Sequence, residues 1–179
     1  MGNLNLNSRS PEETQFLGNH LGKLAQKGDI FLLVGSLGAG KTCLVQGLAH
    51  GLGIEDYAFS PSFVIIREYH GRLTLYHLDF YRLDSLAEIA DVGLEEYLYG
   101  DGVCVIEWAD KGLQILPQDR LLITLDYVPA IETERAICLR PQGKRYFELV
   151  DQLKSTSYQM VDCHLDYGLG KKTTPKIPR

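Results

Sequence analysis

Eight residues constrain this chain more than any others. Gly35-Ser36-Leu37-Gly38-Ala39-Gly40-Lys41-Thr42 satisfies G-x-x-x-x-G-K-[ST] at every fixed position. In average composition a chain of this length contains such a match by chance on the order of one time in a hundred. The flanks agree with it. Ile30-Phe31-Leu32-Leu33-Val34 is a short continuous apolar run, the signature of a buried strand, and Leu44, Val45, Leu48, Ala49 and Leu52 follow at helical spacing. Strand, glycine-rich loop and helix together form a cradle for a polyphosphate. Glycines permit the curvature that turns successive backbone N–H groups inward, and the helix presents its unpaired N–H groups and positive dipole end. Lys41 supplies a point charge for the β- and γ-phosphates, and the Thr42 hydroxyl is a hard oxygen ligand suited to Mg²⁺.

The rest of the chain reads as α/β. Ser10-Pro11-Glu12-Glu13 is a helix start with a capping-box pattern, and the helix it opens runs toward Gly28. Runs from Phe63 to Tyr69 and from Leu73 to Leu78, separated by His70-Gly71, predict a β-hairpin after the phosphate-loop helix. Short helices over 84–99 broken at Gly93, strands at 103–106, 121–125 and 136–139, and a closing helix over 143–155 complete the pattern. The expected fold is P-loop NTPase-like, a mostly parallel central sheet flanked by helices. Residues 1–157 are expected to form a single domain, with 158–179 a mobile C-terminal extension.

Composition bounds the chemistry. A chain of 179 residues buries roughly 70% of its unfolded surface and needs no disulfide or metal staple. Cys43, Cys104, Cys138 and Cys163 form no CxxC pair, so they read as reduced thiols of a cytoplasmic protein. No apolar run approaches the roughly 20 residues of a membrane span. The net charge of −5 disfavours a bulk electrostatic grip on nucleic acid or membrane.

A phosphate loop needs an acid near its metal, and such acids lie at the C-terminal ends of neighbouring parallel strands. Asp79 and Glu107 each close an apolar strand, and position alone does not separate them. Ser62, in the loop before the hairpin, stands where a switch hydroxyl senses γ-phosphate and Mg²⁺. His77 shares a strand face with Asp79 and is open to three readings: structural, hydrogen-bond partner or general base. Arg82 is a phosphate or partner contact or a surface residue. Trp108, the single tryptophan, reads as a core or interface anchor. Every Asn lies at or before residue 19, so no N-K-x-D guanine-reading motif exists, and D-x-x-G is absent too.

Ser60-Pro61-Ser62-Phe63, then His77-Leu78-Asp79-Phe80-Tyr81-Arg82-Leu83, then Glu107-Trp108, in that order behind the phosphate loop, resemble the TsaE (YjeE) family. The likeness extends to Glu13-Thr14 with Gly18 and covers about Glu13 to Leu125. It implies an ATPase of tRNA threonylcarbamoyladenosine synthesis that uses ATP and Mg²⁺. Its low intrinsic rate would be raised by the partner pair TsaB and TsaD, with tRNA touched at most indirectly and no membrane involved. By the same resemblance, Lys41, Asp79 and Glu107 serve catalysis. Thr42, Ser62, Asp79 and Glu107 belong to the metal centre. Leu37, Gly38, Ala39, Gly40, Lys41, Thr42 and Cys43 hold the nucleotide, with Thr14 near the adenine. Two positions depart from the family pattern: Ser36 stands where Asp is frequent, and Ser62 where Thr is usual. A small-molecule kinase and a non-hydrolysing nucleotide-gated module are the alternative readings.

Overall fold

Ile30–Val34 (β2) and Val103–Glu107 (β5) are apolar on both faces because both faces are covered. In the computed structural model, which describes residues 2–55, 61, 64–129 and 131–158, these two strands lie side by side, parallel, at the middle of a seven-stranded sheet. Thr74–Asp79 (β4) is parallel to β5 on one side, and Arg120–Val128 (β6) is parallel to β2 on the other. The parallel centre carries antiparallel edges: Ile66–His70 (β3) on β4, Ile131–Gln142 (β7) on β6, and Leu4–Ser8 (β1) on β7. The sheet is therefore mixed, and its parallel character is confined to the four strands around the phosphate loop.

Alternation along the strands divides the core. Phe31, Leu33, Leu75, Val103, Val105, Leu121, Ile123 and Leu125 face Pro11–Leu24 (α1), Lys41–Gly51 (α2) and Lys144–Tyr158 (α5). Ile30, Leu32, Leu78, Cys104 and Ile106 face the opposite layer, built around Leu86–Asp91 (α3), Glu95–Leu98 (α4) and a 3-10 turn at Ala109–Lys111. Two-residue periodicity puts His77, Asp79 and Glu107 on the α1–α2 side, at the strand ends where the apolar lining stops.

The expected hairpin is present, β3 and β4 turning at Gly71. The strands expected at 121–125 and 136–139 prove to be one long hairpin. β1 was not anticipated. Leu4-Asn5-Leu6-Asn7 alternates for too few residues, and Asn is a weak strand former; pairing with β7 supplies what the local sequence lacks. The N-terminal helix stops at Leu24, short of Gly28, because Arg72 reaches across from the hairpin turn and donates to the carbonyls of Gly22, Lys23 and Ala25.

α1 and α2 touch backbone to backbone. A Cβ on Gly47 would sit 1.9 Å from the Gln15 carbonyl oxygen, and one on Gly18 would sit 2.2 Å from that of Leu44. Only glycine allows this approach, and it presses the helix that begins at Lys41 against the helix capped by Ser10. Ser10 accepts a hydrogen bond from the Glu13 N–H, and the Glu13 carboxylate accepts one from the Arg9 N–H. No helix among the described residues is long and apolar enough to cross a membrane. Of the expected C-terminal extension, residues 159–179 lie outside the described residues.

Candidate functional site

β2 ends at Val34, and the chain turns through Gly35–Gly40 into α2. Gly38 and Gly40 have φ of 76° and 100°, in the left-handed region that disfavours a side chain. The loop is closed by the Ala39 N–H donating to the Ser36 carbonyl at 3.2 Å. Lys41 folds back over it, its Nζ 2.7 Å from the Gly35 carbonyl oxygen and 2.9 Å from that of Ser36. Burial pushes this ammonium below the ordinary lysine range, and the carboxylates of Glu107, Asp79 and Asp110 oppose that shift.

Trp108 covers the same ammonium, its ring centroid 3.8 Å from Nζ. The geometry depends on a backbone feature, because Trp108 holds φ at 56°, rare for a side chain of this size. The left-handed residue turns the chain just after Glu107 and lays the indole across the loop mouth. Tyr81 packs on that indole with centroids 5.0 Å apart. Lys111 donates to the carbonyls of Tyr81 and Leu83, fixing the segment that carries Arg82.

The two strand-end acids are register neighbours, Asp79 opposite Glu107 on parallel β4 and β5. Their environments differ. Glu107 accepts the Thr42 hydroxyl, at 2.9 Å to Oε1 and 3.0 Å to Oε2, and its Oε1 is also 2.9 Å from His77 Nε2. Asp79 uses Oδ1 to accept the Tyr81 N–H at 2.8 Å. Glu107 thus belongs to the threonine at the head of α2, and Asp79 to the loop leaving β4. Ile65, a β-branched residue with φ of 68°, supports that strand end by accepting the Asp79 N–H at 2.9 Å. Left-handed backbone of this kind costs about 1–3 kcal/mol and persists only where surrounding structure holds it.

These groups enclose a cleft of about 390 Å³. Leu37, Gly38, Gly40, Lys41, Thr42, Cys43, Asp79 and Glu107 all line it, joined by Tyr81, Arg82 and Trp108. Ala39 lies within the loop with its methyl fully buried. Cys43 donates to the Pro11 carbonyl at 3.1 Å, and burial pushes its thiol up, so it acts as a weak donor and not as a thiolate. Thr14 does not line the cleft. It is buried at the start of α1, its hydroxyl 2.7 Å from that of Ser8 and 3.3 Å from the Ser10 carbonyl. Ser62 falls outside the described residues.

Two residues of the loop's support escaped the sequence reading. The Tyr127 hydroxyl donates to the Leu37 carbonyl at 2.9 Å. Arg135 stacks on Tyr127, 4.3 Å from its ring centroid, and donates to the Gly38 carbonyl at 3.3 Å. Tyr127 lies two residues beyond the apolar run 121–125 of β6, and Asp126, not Tyr127, holds the position that marked Asp79 and Glu107. Arg135 carries no positional signal either, since only the β6–β7 register, Tyr127 opposite Arg135, brings it there.

Comparison with known proteins finds relatives that span most of the chain. The family model described as threonylcarbamoyl adenosine biosynthesis protein TsaE matches residues 8–137. The tRNA threonylcarbamoyladenosine biosynthesis protein TsaE of Treponema pallidum is 49% identical over 118 residues, covering 66% of this chain and 87% of that protein. Its counterpart in Bacillus subtilis is 44% identical over 145 residues, covering 80% of this chain and 89% of that one. The crystal structure of Bacillus subtilis YdiB superposes with a TM-score of 0.76 at 38% identity, spanning 88% of this chain and 98% of the other. With a family match over residues 8–137 and relatives spanned along most of their length, the chain belongs to the TsaE family.

Proposed function

We propose that the chain binds ATP with Mg²⁺ and hydrolyses it slowly, in the service of threonylcarbamoyladenosine modification of tRNAs reading codons that begin with A. The observation that carries this reading is the side-by-side placement of a buried lysine on a glycine loop and a threonine hydroxyl held by a strand-end carboxylate. One side of the cleft is cationic and rich in N–H donors. The other offers hard oxygens from Thr42, Glu107 and Asp79. That donor set suits a polyphosphate on the first side and Mg²⁺ on the second. Among the described residues no group of three or more His, Cys, Asp and Glu side chains is arranged to hold a metal by itself. Mg²⁺ takes one or two protein oxygens and completes its shell from phosphate and water, a demand that the oxygens of Thr42, Glu107 and Asp79 can meet.

Thr42 and Glu107 would hold the metal side, with Asp79 beside them. Bound Mg²⁺-ATP supplies a phosphoanhydride whose charge the metal partly neutralises. The protein's contribution is placement. The loop amides and the N-terminus of α2 stabilise negative charge that is already organised before reaction. Lys41 exchanges the Gly35 and Ser36 carbonyls for phosphate oxygens, and the Trp108 ring keeps its ammonium at the mouth meanwhile. Asp79 and Glu107 would accept hydrogen bonds from, and so orient, a water at the γ-phosphate end, and one of the two carboxylates would take its proton as it attacks. Ser36 has no carboxylate to assist in that task, which fits a low intrinsic rate.

The family resemblance extends this to a partner pair, TsaB and TsaD, that raises the rate and whose cycle the ATPase drives or resets, with tRNA contacted at most indirectly. Phosphate release from Mg²⁺-ATP, measured with and without TsaB and TsaD, tests the proposal. Slow release stimulated by the pair is expected. Transfer of the γ-phosphate to an added acceptor would make the chain a kinase, and ATP-dependent partner binding without release would make it a non-hydrolysing module.

A further inference from the structure

His77 is fully buried on β4, two residues before Asp79, and its two ring nitrogens have different fates. Nε2 lies 2.9 Å from Glu107 Oε1, whereas Nδ1 has no hydrogen-bond partner. A carboxylate only accepts, so Nε2 carries the proton. The Nε2–H is therefore the donor that holds the Glu107 carboxylate.

The consequence runs along the chain of contacts. The same Oε1 that accepts from His77 also accepts the Thr42 hydroxyl, so both donors act on one carboxylate. Fixing Glu107 fixes the direction of the Thr42 O–H bond and leaves the hydroxyl's lone pairs for the cleft. Resting on the reading of this cleft as a Mg²⁺–nucleotide site, we propose that His77 is a positioning residue. Its imidazole orients Glu107, Glu107 accepts the Thr42 O–H hydrogen bond, and Thr42 would thereby present its lone pairs to the cation. His77 itself touches neither metal nor nucleotide.

The test is calorimetric binding of ADP in EDTA and across a Mg²⁺ titration, for the parent protein, His77→Leu and His77→Gln. Glutamine can place an N–H where the imidazole Nε2–H lies; leucine cannot. All three proteins are expected to bind ADP equally in EDTA. The Mg²⁺ concentration for half-maximal tightening is expected to rise about tenfold or more in His77→Leu and to stay within about threefold of the parent in His77→Gln. Equal Mg²⁺ dependence in the parent and His77→Leu, or equal impairment in both variants, would overturn the inference. Failure of the parent protein to bind ADP at all would instead overturn the nucleotide-site reading beneath it. Should His77→Leu not fold, ¹⁵N-resolved NMR of the unaltered protein decides. A ring protonated at Nε2 whose Nε2 resonance moves with Mg²⁺-ADP but not with ADP in EDTA supports the proposal. A ring without a proton on Nε2, or a resonance indifferent to Mg²⁺, refutes it.

Discussion

The phenolic O–H of Tyr127 donates to the Leu37 carbonyl at 2.9 Å across 90 positions of sequence, so the end of β6 shapes the phosphate loop. A free loop of glycines would sample many conformers, and only a fraction would turn their N–H groups to one point. Tyr127→Phe removes the hydroxyl and keeps the ring under Arg135. A neutral hydrogen bond contributes about 0.5–1.5 kcal/mol, and Tyr127 is partly exposed, so the lower end applies. ADP affinity is expected to fall about two- to fivefold by calorimetry, with the thermal midpoint nearly unchanged. Unaltered affinity would mean that the loop holds its shape without the tether.

Lys41 makes nucleotide binding sensitive to alkaline pH. Burial lowers its folded-state pKa from the ordinary value of 10.5. The ammonium that the phosphates require is therefore lost earlier than in a solvated lysine, and ADP affinity should decline as pH rises into that range. Folding has the opposite sign. Between the lowered folded value and 10.5 the unfolded chain holds more protons than the native one, so this group alone makes the ligand-free protein more stable as pH rises. Affinity measured from neutral to strongly alkaline pH checks the first statement. Lys41→Arg, charged throughout, is expected to bind more weakly at neutral pH but to show no such decline. Lys41→Ala removes the loop's positioned cation and should abolish detectable binding or turnover.

Asp79 and Glu107 are expected to separate binding from chemistry. Neither acid is needed to hold the phosphates against the loop amides, so Asp79→Ala and Glu107→Ala should retain much of the ADP affinity measured in EDTA. Loss of a water-orienting carboxylate should slow hydrolysis about a hundredfold or more. Glu107→Ala also frees the Thr42 hydroxyl and leaves the buried His77 Nε2–H without an acceptor, so it should lower stability, by about 1–3 kcal/mol. Asp79→Ala gives up the carboxylate that accepts the Tyr81 N–H at the end of β4. Turnover of either variant at the parent rate would remove that acid from the hydrolytic site.

What was legible in the sequence was what its physics makes local. The loop, its strand and its helix are contiguous, and Asp79 and Glu107 announce themselves by ending apolar runs. His77 could be placed on Asp79's face by period two alone, but its contact with Glu107 required the parallel register of β4 on β5. Arg135 was invisible for the same reason, since its place over the loop is a property of hairpin register and not of its neighbours. Trp108 read as an anchor, and it is one of an unforeseen kind. Its positive φ, which no pattern in the sequence signals, aims the ring at Lys41. β1 and the early stop of α1 have the same origin, pairing with β7 in one case and the guanidinium of Arg72 in the other.

Gly47 sets two physical effects against each other. As an isolated helix substitution, Gly47→Ala should stabilise by roughly 1 kcal/mol, because alanine is the better helix former. Packing predicts the reverse. The new methyl would lie 1.9 Å from the Gln15 oxygen and 2.6 Å from its carbonyl carbon, and both are backbone atoms that no rotamer change can move. α1 and α2 would have to separate, and overpacking costs about 1–3 kcal/mol, here toward the upper end because both contacts are with backbone atoms. The steric effect outweighs the helix propensity, so urea unfolding is expected to show a net loss of about 1–2 kcal/mol. The displacement reaches the site too, because α2 begins at Lys41 and carries Thr42. Folded Gly47→Ala protein should therefore bind ADP more weakly even though residue 47 is far from the phosphates along the helix. A gain in stability would show that the two helices do not meet backbone to backbone, and would remove the account of how the glycine seam seats the head of α2.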